Sequence, residues 1–254
     1  LFHGGGWSGG NPSLFHPTAR YLAHRGLVAM AVQYRLYQPT GDVSVYDCLA
    51  DCRAALAYVR DHAAELGVDP HRVSAMGDSA GGQLALMLGF GSAPANAVIS
   101  YNPVADLETC QHGIDHVHGP DRLTISPCHA VRDTAVAPAP TLLMHGESDT
   151  VCLVDQSRLY AAVAKERWAD AAVKAQANAG RAALPAGFCR YIELENTQHA
   201  FCLPNYSARP AIVAAAMHEA VLFLGRMGHM SLTAAEATEA AARFDSAVDA
   251  AAKL

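Results

Sequence analysis

The sequence predicts an α/β fold, a mostly parallel central sheet with helices on both faces, and three observations carry that expectation. Short apolar runs such as residues 27–32 (Leu, Val, Ala, Met, Ala, Val) lack polar alternation, as strands buried on both faces do. Segments of helical spacing alternate with those runs. A glycine-rich turn over residues 77–82 joins a strand-like run to a helix-forming one.

Taken in chain order, residues 13–25 read as a helix ended by Gly26, which suits a C-cap, and residues 27–32 as a buried strand. Leu49, Cys52, Leu56, Val59, Ala63 and Leu66 step by threes and fours along one helical face, closed by Gly67 before the Asp69-Pro70 turn. Residues 72–76 form the next strand and 80–88 the next helix. Strands follow at 97–101, 141–145 and 190–194, and helices at 153–165 and 210–227. These five belong to a predicted sheet of about six strands.

Three segments break this rhythm. Residues 105–138 are rich in His and Pro without periodicity, which suits a lid or binding loop. Residues 167–187 are alanine-rich and read as a local insertion. The tail, 231–254, opens with Thr233 and Glu236 at capping-box spacing and continues as an Ala-rich helix whose larger apolar residues are chiefly Phe244 and Val248. Such a helix is expected to pack on the domain or on a second copy of the chain, as a homodimer. The organisation is therefore one catalytic-size domain over 1–230 with a C-terminal helix over 231–254.

The 254 residues are 51% hydrophobic and 17% charged, the mark of a packed core. A net charge of −6 with scattered Lys and Arg offers no basic stripe, so nucleic acid is not an expected partner. No apolar run approaches the roughly 18–20 residues of a membrane-spanning helix. Seven cysteines, an odd number spread thinly, read as free thiols and lean towards a cytoplasmic setting, and the compartment is otherwise unassigned. Cys48 and Cys52 read as small core-facing side chains, since no second ligand pair matches them. The chain opens at Leu1, almost directly into a glycine-rich motif that should follow a strand. N-terminal strands, and any signal peptide, are thus expected to lie upstream.

Gly77-Asp78-Ser79-Ala80-Gly81-Gly82 matches the G-x-S-x-G elbow, in which a serine on a strained strand-to-helix turn stands clear of the sheet. The turn aims the Ala80 amide at a carbonyl under attack, beside a helix N-terminus that favours negative charge. His3-Gly4-Gly5-Gly6-Trp7 precedes it in the right chain order to complete an oxyanion hole, with Gly5 and Gly6 as donors. His3 reads as a structural support of that loop.

The pairing of these two motifs, with Gln33-Tyr34-Arg35-Leu36 between them, resembles the hormone-sensitive-lipase-like carboxylesterases and the neighbouring small feruloyl and acetyl esterases. The resemblance implies the α/β-hydrolase fold, hydrolysis of small or medium acyl or aryl esters, no cofactor and no metal. It also implies the triad order Ser, acid, His. His145-Gly146-Glu147-Ser148-Asp149 is similar to the acid-bearing segment and puts the acid at Asp149, with Glu147 and Asp155 as competitors. Gln198-His199-Ala200-Phe201 puts the histidine at His199. The family carries strands and usually a cap ahead of its His-Gly-Gly-Gly loop, so a cap is a further expected absence.

Trp7 and Phe201 adjoin these motifs, either to shape the substrate pocket or as plain packing, and Asp78 reads as a partner of nearby backbone. His112, His116, His118 and His129, with Asp115 and Asp121, match no ligand spacing and read as a polar loop instead of a metal site. The rival functions are an arylformamidase or prolyl-oligopeptidase-type peptidase using the same triad, and a ligand-binding pseudo-hydrolase.

Overall fold

The computed structural model describes residues 1–110, 114–117, 120–134, 138–169, 189–244 and 252–253. Its sheet runs in chain order through β1 (Ser74–Asp78), β2 (Ala97–Tyr101), β3 (Thr141–Gly146), β4 (Cys189–Leu194) and the two-residue β5 (Ala252–Lys253), each strand parallel to the next. Because successive side chains point to opposite faces, the strands feed two cores. Ala75, Val98, Leu143 and Tyr191 enter one; Met76, Ile99, Leu142, Met144 and Ile192 enter the other.

Helices cover both faces, as the apolar runs predict. On the first face α2 (Val45–Asp61), α4 (Ser79–Met87), α5 (Pro127–Asp133) and α6 (Asp155–Ala169) contribute Leu49, Leu84, Val131 and Tyr160. On the second, α1 (His16–His24), α7 (Pro210–Arg226) and α8 (Ala234–Phe244) contribute Leu22, Phe223 and Phe244. A further helix, α3 (Ala63–Leu66), is the end of the long stretch read from the sequence, which breaks at His62 before Gly67 closes it in a left-handed conformation. Cys48 and Cys52 are fully buried core thiols, and all seven cysteines are free. Among the described residues no helix is long and apolar enough to cross a membrane.

Several expectations need correction. Residues 27–32 are not a strand: only Val32 is bridged, to Phe2, which also bridges Gly77 on its other side. Apolar runs signal burial, whereas a strand needs a paired backbone, which this segment has only at Val32. Val28 is accordingly 57% exposed. The strand read over 72–76 starts two residues later, at Ser74, where pairing with Ala97 begins. The described part of residues 105–138 is more structured than an open loop. Within them lie two 3-10 turns, Ile114–His116 and Pro120–Ile125, and α5, with Val117, Ile125 and Cys128 buried. Most of the 167–187 insertion, and Val248 of the tail, lie outside the described residues.

Helix α8 packs on its own domain. Phe244 meets Phe223 with ring centroids 5.9 Å apart, and Arg243 pairs with buried Glu219. Glu236 joins Arg25 at 2.7 Å and closes the capping box with Thr233 expected from the sequence.

Candidate active site

Ser79 is the first residue of α4 and the hinge between β1 and that helix. Its φ of 53° is a conformation that costs a side-chain-bearing residue energy and recurs at functional turns. The turn is possible because Gly81 has no side chain: a Cβ there would stand 2.2 Å from the Phe2 carbonyl oxygen and 2.5 Å from that of His3. The elbow therefore presses directly against the strand-end that carries the His-Gly-Gly-Gly loop.

Two other strand ends bring in the partners. Asp149 lies three residues beyond β3, and His199 five beyond β4. The His199 Nε2 is 2.9 Å from Ser79 Oγ and its Nδ1 2.6 Å from Asp149 Oδ2. Asp149 Oδ1 accepts the amides of Val151 (2.8 Å) and Cys152 (2.9 Å). Burial raises the proton affinity of Asp149, but hydrogen bonds from His145 and His199, the attraction of His199 and the Cys152 amide outweigh it and hold the carboxyl well below the usual range. The competing acids point elsewhere: Glu147 is exposed, and Asp155 pairs with Arg158 at 3.0 Å.

The glycine loop is built to present amides. Gly5, with a φ of 119°, sits so close to Gly9 that a Cβ would lie 2.5 Å from the Gly9 carbonyl oxygen. The Gly4 amide donates to Asp78 Oδ1 at 2.8 Å, and the Ser8 and Gly9 amides donate to Gly5 O. Among the described residues the Gly5 and Gly6 amides have no such acceptor. Ala80, in the first turn of α4, has no acceptor within the helix either. Asp78 is buried, as a backbone partner would be, and burial pushes its carboxyl up to about 6 against the Gly4 amide and His199. His3 supports the loop: it stacks on Tyr34 at 4.4 Å, and the Tyr34 hydroxyl donates to the His3 carbonyl at 2.6 Å.

Trp7 and Phe201 are only 1% and 2% exposed, so they offer substrate almost no surface, and the pocket-shaping reading gives way to packing. Trp7 Nε1 donates to Gln83 Oε1 at 3.0 Å, and Gln83 Nε2 donates to the Ile125 carbonyl at 2.7 Å. Phe201 meets Tyr101 edge-on in the opposite core. Gln83, His145 and Ser157 are the functional candidates that motif reading passed over. His145 alone had a signal, its place at the head of the acid segment.

The histidine-rich segment divides. His116 bonds the Gly6 carbonyl through Nδ1 at 2.8 Å and stacks on Tyr37, whereas His129 turns one ring nitrogen towards Asp106 (3.4 Å) and the other towards Glu108 (3.5 Å). Asp115 is exposed; His112, His118 and the Asp121 side chain lie outside the described residues. Asp106 also accepts from the Thr109 hydroxyl (2.7 Å) and the Ser126 hydroxyl (3.3 Å). Its oxygens are thus in use. An apolar cavity of about 130 Å³ lies between residues 27–32 and β1, and Ser79 is not part of its lining.

A serine, histidine and aspartate converging from the ends of parallel strands, beside a helix N-terminus, define the α/β-hydrolase class. The family model described as BD-FAE matches residues 1–110. Esterase 2 of Thermogutta terrifontis superposes with a TM-score of 0.76 at 30% identity, over 91% of this chain and 83% of that one. Carboxylesterase NlhH of Mycobacterium tuberculosis is 38% identical over 92 residues, 34% of this chain and 27% of the relative. Probable carboxylic ester hydrolase LipM of the same organism is 26% identical over 243 residues, 85% of this chain and 52% of the relative. The matches thus span about half or less of these curated relatives. The chain belongs to the α/β-hydrolase family of carboxylesterases.

Proposed function

We propose that this chain is a serine carboxylic-ester hydrolase acting through an acyl-enzyme on small or medium acyl or aryl esters. The observation that carries the reading is the continuous relay from Ser79 Oγ through both nitrogens of His199 to Asp149, at 2.9 and 2.6 Å. His199 takes the Ser79 proton as the oxygen attacks the ester carbonyl. Asp149 fixes the tautomer and stabilises the imidazolium, while the Gly5, Gly6 and Ala80 amides hold the oxyanion. His199 then protonates the leaving alcohol. Water, activated by the same imidazole, attacks the acyl-enzyme and releases the acid.

The related Thermogutta esterase is described with propionate or butyrate bound, which supports short acyl groups here. The esterase relatives also favour esters over the formamide and peptide readings, and a complete relay favours catalysis over a pseudo-hydrolase. Within this reading residues 1–230 form the catalytic unit, residues 105–138 its cover and α8 an external brace.

The test is a panel of p-nitrophenyl esters of rising chain length, with methyl ferulate, formylkynurenine and a proline-containing peptide alongside. Acetate to butyrate esters should turn over best, and Ser79→Ala should abolish that turnover. Ester hydrolysis by Ser79→Ala at the wild-type rate, or a preference for the peptide, would contradict the proposal.

A further inference from the structure

We infer that His145 is a positioning residue for the relay, a buried imidazole that fixes the Asp149 carboxylate, and the turn that carries it, while charge comes and goes on His199. This rests on the hydrolase reading above. His145 lies on β3, four residues before Asp149, and is fully buried. Its Nε2 is 2.8 Å from the Cys152 carbonyl oxygen and 3.2 Å from Asp149 Oδ2. Both neighbours can only accept, so Nε2 carries the hydrogen and shares it between them. Its Nδ1 lies 2.7 Å from the hydroxyl of Ser157, itself fully buried on α6. Donation by that hydroxyl satisfies the neutral ring and selects the tautomer that faces Asp149.

The consequence concerns Asp149 Oδ2, which receives two imidazoles at once. His199 must gain and lose a proton during turnover, whereas His145 is sealed from water and held at both ring nitrogens. A fixed donor on the same oxygen holds the carboxylate in place through the cycle and limits how much negative charge is concentrated on His199. It also bonds the carbonyl of Cys152, whose amide grips Asp149 Oδ1 at 2.9 Å. Three elements, β3, the acid turn and α6, are thereby locked around one carboxylate. Among the described residues, the other titratable groups facing the relay are Asp78 from β1, which acts on His199, and the Cys152 thiol. That thiol donates to the Pro103 carbonyl at 3.1 Å and is kept neutral by burial, with Cys110 and Asp149 acting in the same direction.

A histidine that merely filled the core would leave the behaviour of His199 unchanged on replacement by an apolar side chain. The experiment compares His145→Leu, which removes the donor; His145→Gln, which returns an N–H near the Nε2 position; and Ser157→Ala, which frees the tautomer. The His199 ring titration is followed by NMR, with kcat and KM on p-nitrophenyl acetate. In His145→Leu the His199 midpoint should rise by about half a pH unit, because Asp149 then acts on it alone. We expect kcat to fall by about tenfold with KM within about twofold, the pattern of lost positioning. The Gln variant should restore the midpoint and most of kcat, and Ser157→Ala should shift it in the same direction by less.

An unmoved midpoint in a cooperatively folding His145→Leu, or a Gln variant no better than Leu, overturns the inference. Should His145→Leu fail to fold, Ser157→Ala decides by the same midpoint. The NMR titration needs no substrate. Absent ester turnover in the wild type would therefore sink the hydrolase reading, and an unmoved midpoint this inference alone.

Discussion

Two buried carboxylates flank Ser79, and they behave oppositely. Asp78, on the elbow side, is 2% exposed and accepts one amide, that of Gly4; Asp149, on the far side of His199, is 4% exposed and is met by two amides and two imidazoles. Burial raises proton affinity in both, yet Asp78 is left at about 6 while Asp149 is pulled well below the carboxylate range. The number of donors, not the depth of burial, decides which acid holds its proton more tightly. One carboxyl is suited to bracing a backbone loop and the other to stabilising an imidazolium.

The contrast is broken or upheld most strongly by kinetics. Asp149→Asn should lower kcat by about 10⁴, through loss of the correct His199 tautomer, whereas Asp78→Asn, which keeps an oxygen for the Gly4 amide, should cost less than about tenfold. Equal losses on p-nitrophenyl acetate would show that the two acids share one role.

Stability against pH gives the next largest effect, with opposite signs. The Asp78 carboxyl lies higher in the fold than its usual 3.8, so its favourable contribution is complete below about pH 4 and lost as pH rises to about 6. Replacing it with Asn should therefore stabilise the protein above pH 6, by up to about 3 kcal/mol, and the gain should vanish below pH 4. For Asp149 the contribution is complete above 3.8 and is lost as acid drives the pH down through its lower folded value. Urea melts of wild type and Asp78→Asn between pH 4 and 8 measure the first window directly.

Smaller still is the effect of crowding the elbow. Gly81→Ala should cost about 2 kcal/mol, since its Cβ would collide with backbone oxygens of Phe2 and His3 that have no room to retreat. Thermal melting checks the cost. A neutral outcome would mean that elbow and glycine loop are not pressed together. The smallest effect concerns the Asp106, Glu108 and His129 group, whose ligand atoms lie within 4.8 Å of one another. Ester turnover should be unchanged by EDTA, and a chelator-sensitive rate would place a cation there.

Much of this site was legible in the chain itself. The elbow could be read because strand, turn and helix preferences coincide over residues 77–82, and the positions of Asp149 and His199 because each follows a strand end in the order the resemblance implies. Less visible were the interactions that depend on distant backbone. Nothing in the apolar run 27–32 reveals that only Val32 finds a bridge, because burial and strand pairing leave the same composition. Trp7 and Phe201 sit next to catalytic motifs in sequence, but local position does not tell which way a ring turns, and both turn inward. Bonds such as that from Gln83 to the Ile125 carbonyl span 42 residues and obey no local spacing. Ser157 likewise looks like any helical serine until α6 is laid against β3.

The central claim is that Ser79 is the nucleophile primed by His199, and covalent capture tests it most directly. The Thermogutta esterase is described as phosphorylated by paraoxon, so the same reagent is a suitable probe. Treatment with paraoxon followed by peptide mass mapping should find one phosphoryl adduct, on Ser79, forming at least about a hundredfold more slowly in His199→Ala. Modification at another residue instead, or ester turnover that survives complete modification of Ser79, would contradict the account.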